Sequence, residues 1–183
     1  SRSHPDSSHA TLSACPAIHC ENPMSSSLTF EVTGNTGAFV FPEFASLPFF
    51  TLLDGFMVEL FNEDEFISEL KALHKAEPHC LDVIASLAAM LSFTEPEMAL
   101  TYANHGLSLT SALIPKTFTG SISWDVSSNQ AFYKLMHAAI LANLGCGLRE
   151  AALRLINLSL EGNPDDHLGV RFLLAEMPVE TAH

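Results

Sequence analysis

The sequence predicts an all-α fold, a short α-solenoid of antiparallel helical hairpins behind a small N-terminal β-hairpin. Apolar residues recur at steps of three and four from residue 48 onward, which is typical of amphipathic helices. Very short turns join pairs of these helices, so the two members of a pair must lie antiparallel. Small residues recur at matching places in two such pairs, and this recurrence indicates a structural repeat.

Composition bounds the class of protein. A chain of 183 residues fits one domain, and with 48% hydrophobic but only 16% charged residues much of it must be buried against itself or a partner. The net charge of −13 with no basic patch argues against nucleic-acid binding. The longest apolar stretch, residues 44–61, is interrupted by Pro48, Asp54 and Glu59, which argues against a membrane span. No secretory signal is recognisable, so we expect a cytoplasmic protein.

The chain divides into a disordered tail or leader (1–27), an extended or hairpin segment (28–47), a helical repeat domain (48–177) and a short tail (178–183). In the leader, Cys15, His19 and Cys20 have a spacing that could hold a metal, but the surrounding composition favours a tail, and we expect no metal and no cofactor. Met24 could be a natural start, which leaves open whether residues 1–23 belong to the native protein. The few scattered cysteines argue for reduced thiols.

The alternation of apolar and polar residues predicts the hairpin. Leu28, Phe30 and Val32 alternate with polar residues, residues 34–37 supply turn chemistry, and residues 39–41 are apolar again. A lone hairpin is marginally stable, so this one must pack on the helices.

The helices follow from periodicity and from local start and stop signals. Asn62 and Glu65 form a capping-box pattern, Pro96 suits the first turn of a helix, and Asn163-Pro164 breaks the chain. In chain order, the expected helices cover residues 48–61, 63–76, 80–93, 95–114, 129–146, 148–161 and 165–177.

Small residues mark the helix crossings, where large side chains would push the backbones apart. They are Ala88, Ala99, Ala103 and Gly106 in the first hairpin and Ala139, Ala151 and Ala152 in the second. This pattern resembles tetratricopeptide repeats, and Leu144-Gly145, Glu150-Ala151 and Asn163-Pro164 match the second repeat. The resemblance implies a solenoid with a ligand groove.

Residues 76–175 also resemble the helical region of the transcription factor 25 family, known too as ribosome quality control complex subunit 1. The shared features are Pro78, Asp82, Pro115 with Phe118 and Gly120, Trp124, Asn129 with Phe132, Gly145-Cys146, and Pro164-Asp165-Asp166. Gln130 departs from the family, which has arginine there. The chain is similar as well to bacterial tetratricopeptide proteins, through Asn163, Pro164, Asp166, Gly169 and Arg171. These resemblances imply the helical fold and, as an alternative role, a ribosome-quality-control-type subunit.

The connection over residues 114–129 is long for a helical bundle and has no helical signal. Phe118, Gly120, Ile122 and Trp124 alternate like an extended segment with one apolar face. We favour a plug that packs beside the helices. The alternative is a binding loop in which Trp124 anchors a ligand peptide.

Asp165, Asp166, His167 and Arg171 are the densest group of reactive side chains. Consecutive helical residues diverge by about 100°, so the first three cannot converge on one point from a helix. Helix capping and an ion pair explain these residues, and a metal-dependent hydrolase using Asp165, Asp166 and His167 is the outside hypothesis. No nucleophile elbow, phosphate loop or dinucleotide motif is present.

We therefore expect a non-enzymatic scaffold or adaptor that binds a peptide or protein in a helical-repeat groove, with a chaperone-like adaptor as an alternative. Homodimerisation through the apolar helix 48–61 is a further option. The candidate contact residues are Trp124, Tyr102, Asn104, Tyr133 and Lys134. The residues expected to maintain the repeat are Asn129, Gly145, Ala151, Pro164, Asp166, Gly169 and Arg171.

Overall fold

The computed structural model describes residues 26–175 of the chain. The predictions for the leader with its Cys15, His19 and Cys20, for Met24, and for the C-terminal tail lie outside these residues. Within them, a two-stranded antiparallel sheet precedes six α-helices, which confirms a mostly helical fold with a small hairpin. The elements are β1 (Thr29–Thr33), β2 (Thr36–Val40), α1 (Glu43–Met57), α2 (Glu63–Ala76), α3 (Leu81–Leu91), α4 (Pro96–Leu113), α5 (Gln130–Gly145) and α6 (Arg149–Gly162).

The hairpin forms where the alternation predicts it. Thr29 pairs with Val40 and Thr33 with Thr36 across a two-residue turn. Gly34 adopts φ +61° in that turn, a conformation that glycine tolerates best. Phe39 on the inner face is buried, whereas Val32, expected on the same apolar face as Leu28, is exposed beside the turn. The apolar face of the hairpin is thus covered at Phe39 and open at Val32.

Helix α1 begins at Glu43, so the prediction that residues 43–47 are extended is wrong. Pro48, expected to start the helix, lies inside it. Proline removes one helical hydrogen bond, here the one to the carbonyl of Phe44, four residues earlier. Both Phe44 and Pro48 are exposed, so water can reach this side of the helix and offset the loss.

The next helices follow their local signals closely. The capping box of α2 is confirmed: Asn62 Oδ1 accepts from the Glu65 backbone N–H at 2.9 Å, and the Glu65 carboxylate accepts from the Asn62 N–H at 3.0 Å. Pro96 stands in the first turn of α4, as predicted. None of the helices within residues 26–175 combines the length and the apolar character that a membrane crossing needs.

The predicted helix over residues 165–177 is wrong as far as the structure describes it. Residues 164–175 form turns and one short 3-10 helix, Val170–Phe172. Asp166 and Gly169 have φ of 53° and 69°, which interrupts a right-handed helix. The Asp166 carboxylate instead accepts the Val170 backbone N–H at 2.8 Å and pairs with Arg171 Nε at 3.0 Å. The residues therefore fold as a capped turn.

Helix α5 is the central helix, and it packs against α3, α4 and α6. The crossings are lined by small residues. A Cβ added at Gly106 of α4 would approach Leu135 of α5 to 2.8 Å, so only glycine lets these two helices come this close. The fully buried alanines at the crossings are Ala88, Ala99, Ala103, Ala138, Ala139, Ala142 and Ala152.

The connection between α4 and α5 joins the hairpin to the helices. The Ser121 N–H donates to Asn35 O at 2.8 Å, and Ser121 O accepts from the Gly37 N–H at 2.9 Å. Phe118 packs edge-on against Phe30 with ring centroids 5.2 Å apart. The segment thus lies along the hairpin as an extended, packed chain.

Asn129, at the end of this connection, is fully buried and uses both ends of its amide. Its Oδ1 accepts from the Phe39 N–H at 2.9 Å, and its Nδ2 donates to Gly37 O and to Ser123 O, both at 3.0 Å. One side chain therefore ties strand β2, the connection and the start of α5 together.

Replacing Asn129 by alanine would leave these buried backbone groups without partners. We expect Asn129→Ala to lower the free energy of unfolding by about 3 kcal/mol, measured by urea denaturation. Asn129→Asp should also destabilise, because a carboxylate cannot donate to the two carbonyls. Asn104→Ala on the exposed face of α4 is the control and should change stability by less than about 0.5 kcal/mol. An Asn129→Ala protein as stable as the control would contradict this role.

A histidine pair joins α2 to α4. The ring of His74 lies 5.6 Å from that of His105 and 5.3 Å from that of Tyr102, and His74 Nδ1 is buried without a hydrogen-bond partner among the described residues. His105 Nε2 lies 3.3 Å from Pro78 O. Burial lowers the pKa of His74, and the neighbouring His105 lowers it further. Protonating His74 in the folded state is therefore unfavourable.

The sign of the resulting pH dependence follows from this lowered pKa. Below the unfolded-state value of 6.5 the unfolded chain binds a proton that folded His74 resists, so stability falls as the pH drops through that value. We expect His74→Phe to flatten this fall in thermal melts recorded across the window. His79→Gln, which replaces a histidine outside the pair, is the control. Equal pH profiles for wild type and His74→Phe would contradict the assignment.

Candidate functional site

Helices α1, α3 and α5 line two adjoining cavities. The larger, of about 460 Å³, lies among the hairpin, α1, α3 and α5, and the smaller, of about 250 Å³, lies among α1, α3, α5 and the C-terminal turn. Asp82 of α3 and Lys134 of α5 stand in the walls of both cavities. We call the two cavities together the central groove.

The larger cavity combines apolar walls with a polar rim, the usual composition of a binding site. Its apolar residues come from the hairpin, α1, α3 and α5: Leu28, Phe39, Phe41, Phe50, Leu81 and Ala131. Its charged residues are Glu43, Asp82 and Lys134, and its other polar residues are Ser46, Ser127, Ser128 and Gln130. The lining therefore offers two carboxylates and one ammonium group.

The smaller cavity exists because α3 presents small residues there. Asp82, Ser86 and Ala89 recur at steps of three and four and so share one helix face, with Ala85 beside them. Phe49 and Leu53 of α1, His137 of α5 and Leu168 of the C-terminal turn complete the wall. The small residues leave space that larger side chains would fill.

Asp82 is the most perturbed carboxylate of the groove. Burial raises its pKa, and Lys134 offsets only part of that effect. The pair of Arg171 with Asp166 is the single ion pair within 4.0 Å among the described residues, so Asp82 and Lys134 do not touch. Asp82 therefore stands in the groove as an under-compensated negative charge.

His137 brings a neutral imidazole to the smaller cavity. Burial lowers its pKa below 6.5, and Asp166 works in the opposite direction. Ser86, His137 and Asp82 thus share a cavity, but within residues 26–175 no hydrogen bond joins these three side chains. A serine nucleophile needs a base within hydrogen-bond reach, and this arrangement does not provide one.

The cluster at residues 165–167 is divided among different partners. Asp166 is held by Arg171, and His167 stacks on Trp124 with ring centroids 5.1 Å apart. Asp165 is exposed. Within residues 26–175 no three His, Cys, Asp or Glu side chains come together as a metal site would require. The positions of Asp165, Asp166 and His167 therefore do not support the hypothesis of a metal-dependent hydrolase centre at these residues.

The two cysteines of the described chain take no part in the groove lining. Cys80 is buried just before α3, and burial raises the pKa of its thiol to about 11. A thiol with so high a pKa is a poor nucleophile near neutral pH. Cys80 is therefore a core residue.

Among the predicted contact residues, Lys134 alone lines the central groove. Tyr133 is buried, its hydroxyl donates to Ile122 O, and burial raises its pKa to about 12. Trp124 is half-buried between His167 and Tyr133, whose ring lies 5.9 Å away. Tyr102 contacts His74 on the opposite side of α3, and Asn104 is exposed on α4. These four residues do not line the central groove, and their role as contacts for a partner stays a prediction.

The residues expected to maintain the repeat have mainly backbone roles. A Cβ at Gly145 would lie only 2.8 Å from Pro96. Because glycine has no Cβ, the end of α5 can pack closely against the start of α4. Pro164 follows α6, and its carbonyl accepts from Arg171 Nη2 at 2.9 Å. Ala151 is half-buried on α6. With Asn129, Asp166 and Gly169, these residues shape turns and crossings.

Sequence reasoning did not single out Asp82, Ser86, His137 or Glu43 as site residues. The available signal was the pattern of α3, in which a lone acid, a serine and alanines interrupt an otherwise apolar helix at helical spacing. That pattern indicates a helix with one face open to a cavity.

Comparisons with known proteins do not place the chain in a family. No protein-family model matches it, and neither a curated protein nor a solved structure does. The resemblances to tetratricopeptide repeats and to the transcription factor 25 family therefore stay predictions.

Removing the charge of Asp82 should stabilise the protein. Because burial raises its pKa above the unfolded value of 3.8, ionisation costs free energy in the folded state as the pH rises through that window. We expect Asp82→Asn to melt at a higher temperature than wild type at neutral pH, with the gain vanishing in acid. Asp64→Asn, at the equivalent second position of α2 but exposed, is the control and should not stabilise. A lower melting temperature for Asp82→Asn would contradict the cost assigned to this carboxylate.

Proposed function

We propose that the protein is a non-enzymatic adaptor that binds a segment of a protein partner in the central groove. The observation that carries this proposal is the pair of adjoining cavities with Asp82 and Lys134 in both walls. Their combined lining is apolar with a few separated polar groups, which suits recognition of an extended chain. Within residues 26–175 no hydrogen bond joins the side chains of Asp82, Ser86 and His137, and an arrangement of this kind suits binding better than nucleophilic catalysis.

The order of the helices supports the same proposal. We propose that α1–α2, α3–α4 and α5–α6 are three successive repeat units of a tetratricopeptide-like solenoid. In such an array the first helices of the units stand side by side and form a concave surface. The packing of α5 on α3, and of both on their own partner helices, fits this arrangement, as does the position of the groove along α1, α3 and α5.

The outer face of α1 supplies the surface for the two alternatives, a chaperone-like adaptor and a homodimer. Phe44, Leu47 and Phe50 are exposed by 76%, 60% and 43%. Phe50 also lines the larger cavity, so an apolar client segment could continue from the groove onto α1. A second copy docked on this face of α1 would cover Phe50. Dimerisation and client binding would then compete.

Blocking the groove tests the proposal. We expect a displayed library of random dodecapeptides, selected on the wild-type protein, to yield peptides that bind it and no longer bind Ser86→Trp. The indole would fill the smaller cavity, where Ser86 is half-buried. Ser108→Trp, the same change at an exposed position of α4, is the matched control and should bind like wild type.

Two checks keep this experiment decisive. Circular dichroism melts establish that Ser86→Trp is folded, and Lys134→Glu at an exposed position reverses a groove charge without filling the cavity. Selected peptides should bind Lys134→Glu with altered affinity. Peptides that bind all variants equally, or a selection that enriches none, would rule out the groove as a peptide-binding site.

A further inference from the structure

Asp82 brings a negative charge to the central groove that has no close positive partner among the described residues. Asp82 faces both cavities, and among the described residues no Lys, Arg or His nitrogen lies within 4.0 Å of its carboxylate. Asp82 occupies the first turn of α3, where the helix dipole favours a negative charge. Its pKa is nevertheless raised, because desolvation outweighs the attraction of Lys134. A bound cation would supply the close positive charge that residues 26–175 do not.

The remaining charged groups leave the groove negative. Glu43 and Asp82 oppose Lys134 in the larger cavity, two carboxylates against one ammonium. His137 in the smaller cavity is held towards its neutral form by burial. The net charge of −13 over the whole chain adds a field that attracts cations. An occupant that complements this lining is positively charged.

The apolar wall of the larger cavity indicates which kind of cation would bind there. Phe39, Phe41 and Phe50 line the same cavity as Asp82, so a bare ion bound there would lose water beside apolar walls. Arginine and lysine have long apolar stems that can lie along such a wall while the charged end reaches a carboxylate. A side chain of this kind uses both features of the cavity.

We infer that the partner segment inserts an arginine or lysine side chain into the larger cavity of the central groove, where its cation pairs with Asp82. This inference rests on the proposed function of the groove and names the chemistry of its partner. Flanking apolar residues of the segment would contact the smaller cavity and α1. Lys134 competes with the incoming cation for Asp82 and so lowers the affinity for the partner segment.

The test uses three pools of acetylated, amidated pentapeptides that differ only in the central residue. That residue is arginine, its neutral isostere citrulline, or glutamate, and the flanking positions vary among Ala, Leu, Phe and Ser. Binding is followed by the backbone amide shifts of Ala85, Ala131 and Lys134 in the full chain. We expect the arginine pool to bind roughly tenfold more tightly than the citrulline pool, the equivalent of about one ion pair.

Two variants locate the charge that is responsible. Asp82→Asn should abolish the preference for arginine, whereas Asp64→Asn, the exposed counterpart on α2, should keep it. Lys134→Gln removes the competing ammonium and should increase the preference. Amide spectra of each free variant establish that it is folded.

The outcomes separate this inference from the function on which it rests. Equal binding of the arginine and citrulline pools at the groove would overturn the inference and leave the groove proposal standing. Tightest binding of the glutamate pool would overturn it in favour of Lys134 as the determinant. Shifts from no pool at any groove residue would overturn both proposals.

Discussion

The buried amide of Asn129 is the constraint on which the remaining architecture depends. A two-stranded hairpin has too little surface to fold alone, and here its strand β2 is held by Asn129 through the Phe39 N–H and Gly37 O. Each of these backbone groups would cost free energy if it were buried without a partner. Phe39 then packs on Phe132 one turn into α5, with ring centroids 4.8 Å apart. The amide sets the position of the hairpin, and the aromatic contact stabilises it there.

This constraint couples the fold to the groove. The hairpin contributes Leu28 and Phe39 to the wall of the larger cavity, while the segment next to Asn129 contributes Ser127 and Ser128. The cavity is therefore built where a strand, a connection and three helices meet, and loosening the Asn129 contacts would open one of its walls. By contrast, no hairpin residue lines the smaller cavity, which α1, α3, α5 and the C-terminal turn enclose beside the small residues of α3.

Local signals predict what local interactions determine. The capping box at Asn62 and the Pro96 start of α4 need only neighbouring residues, and helical periodicity places α2 to α6 within a few positions. The failures lie where tertiary contacts decide. Asp166 takes a left-handed conformation in which its carboxylate caps the Val170 N–H and pairs with Arg171, so no helix starts at residue 165. Amphipathic spacing marks a face as apolar without saying which helix will cover it, so the groove residues could not be selected from it.

Asp82 shows how an unfavourable position can indicate a site. Its neighbours along the helix face, Ala85, Ser86 and Ala89, would accommodate an alanine at position 82 without any loss of packing, and alanine would avoid the desolvation of a carboxylate. Stabilising substitutions are usually available where activity requires an unfavourable group, and the usual cost of making them is function. Among residues 26–175 no basic nitrogen lies within 4.0 Å of the Asp82 carboxylate, and burial raises its pKa in spite of the attraction of Lys134. The cationic side chain that we propose for the partner segment would compensate this charge in the groove.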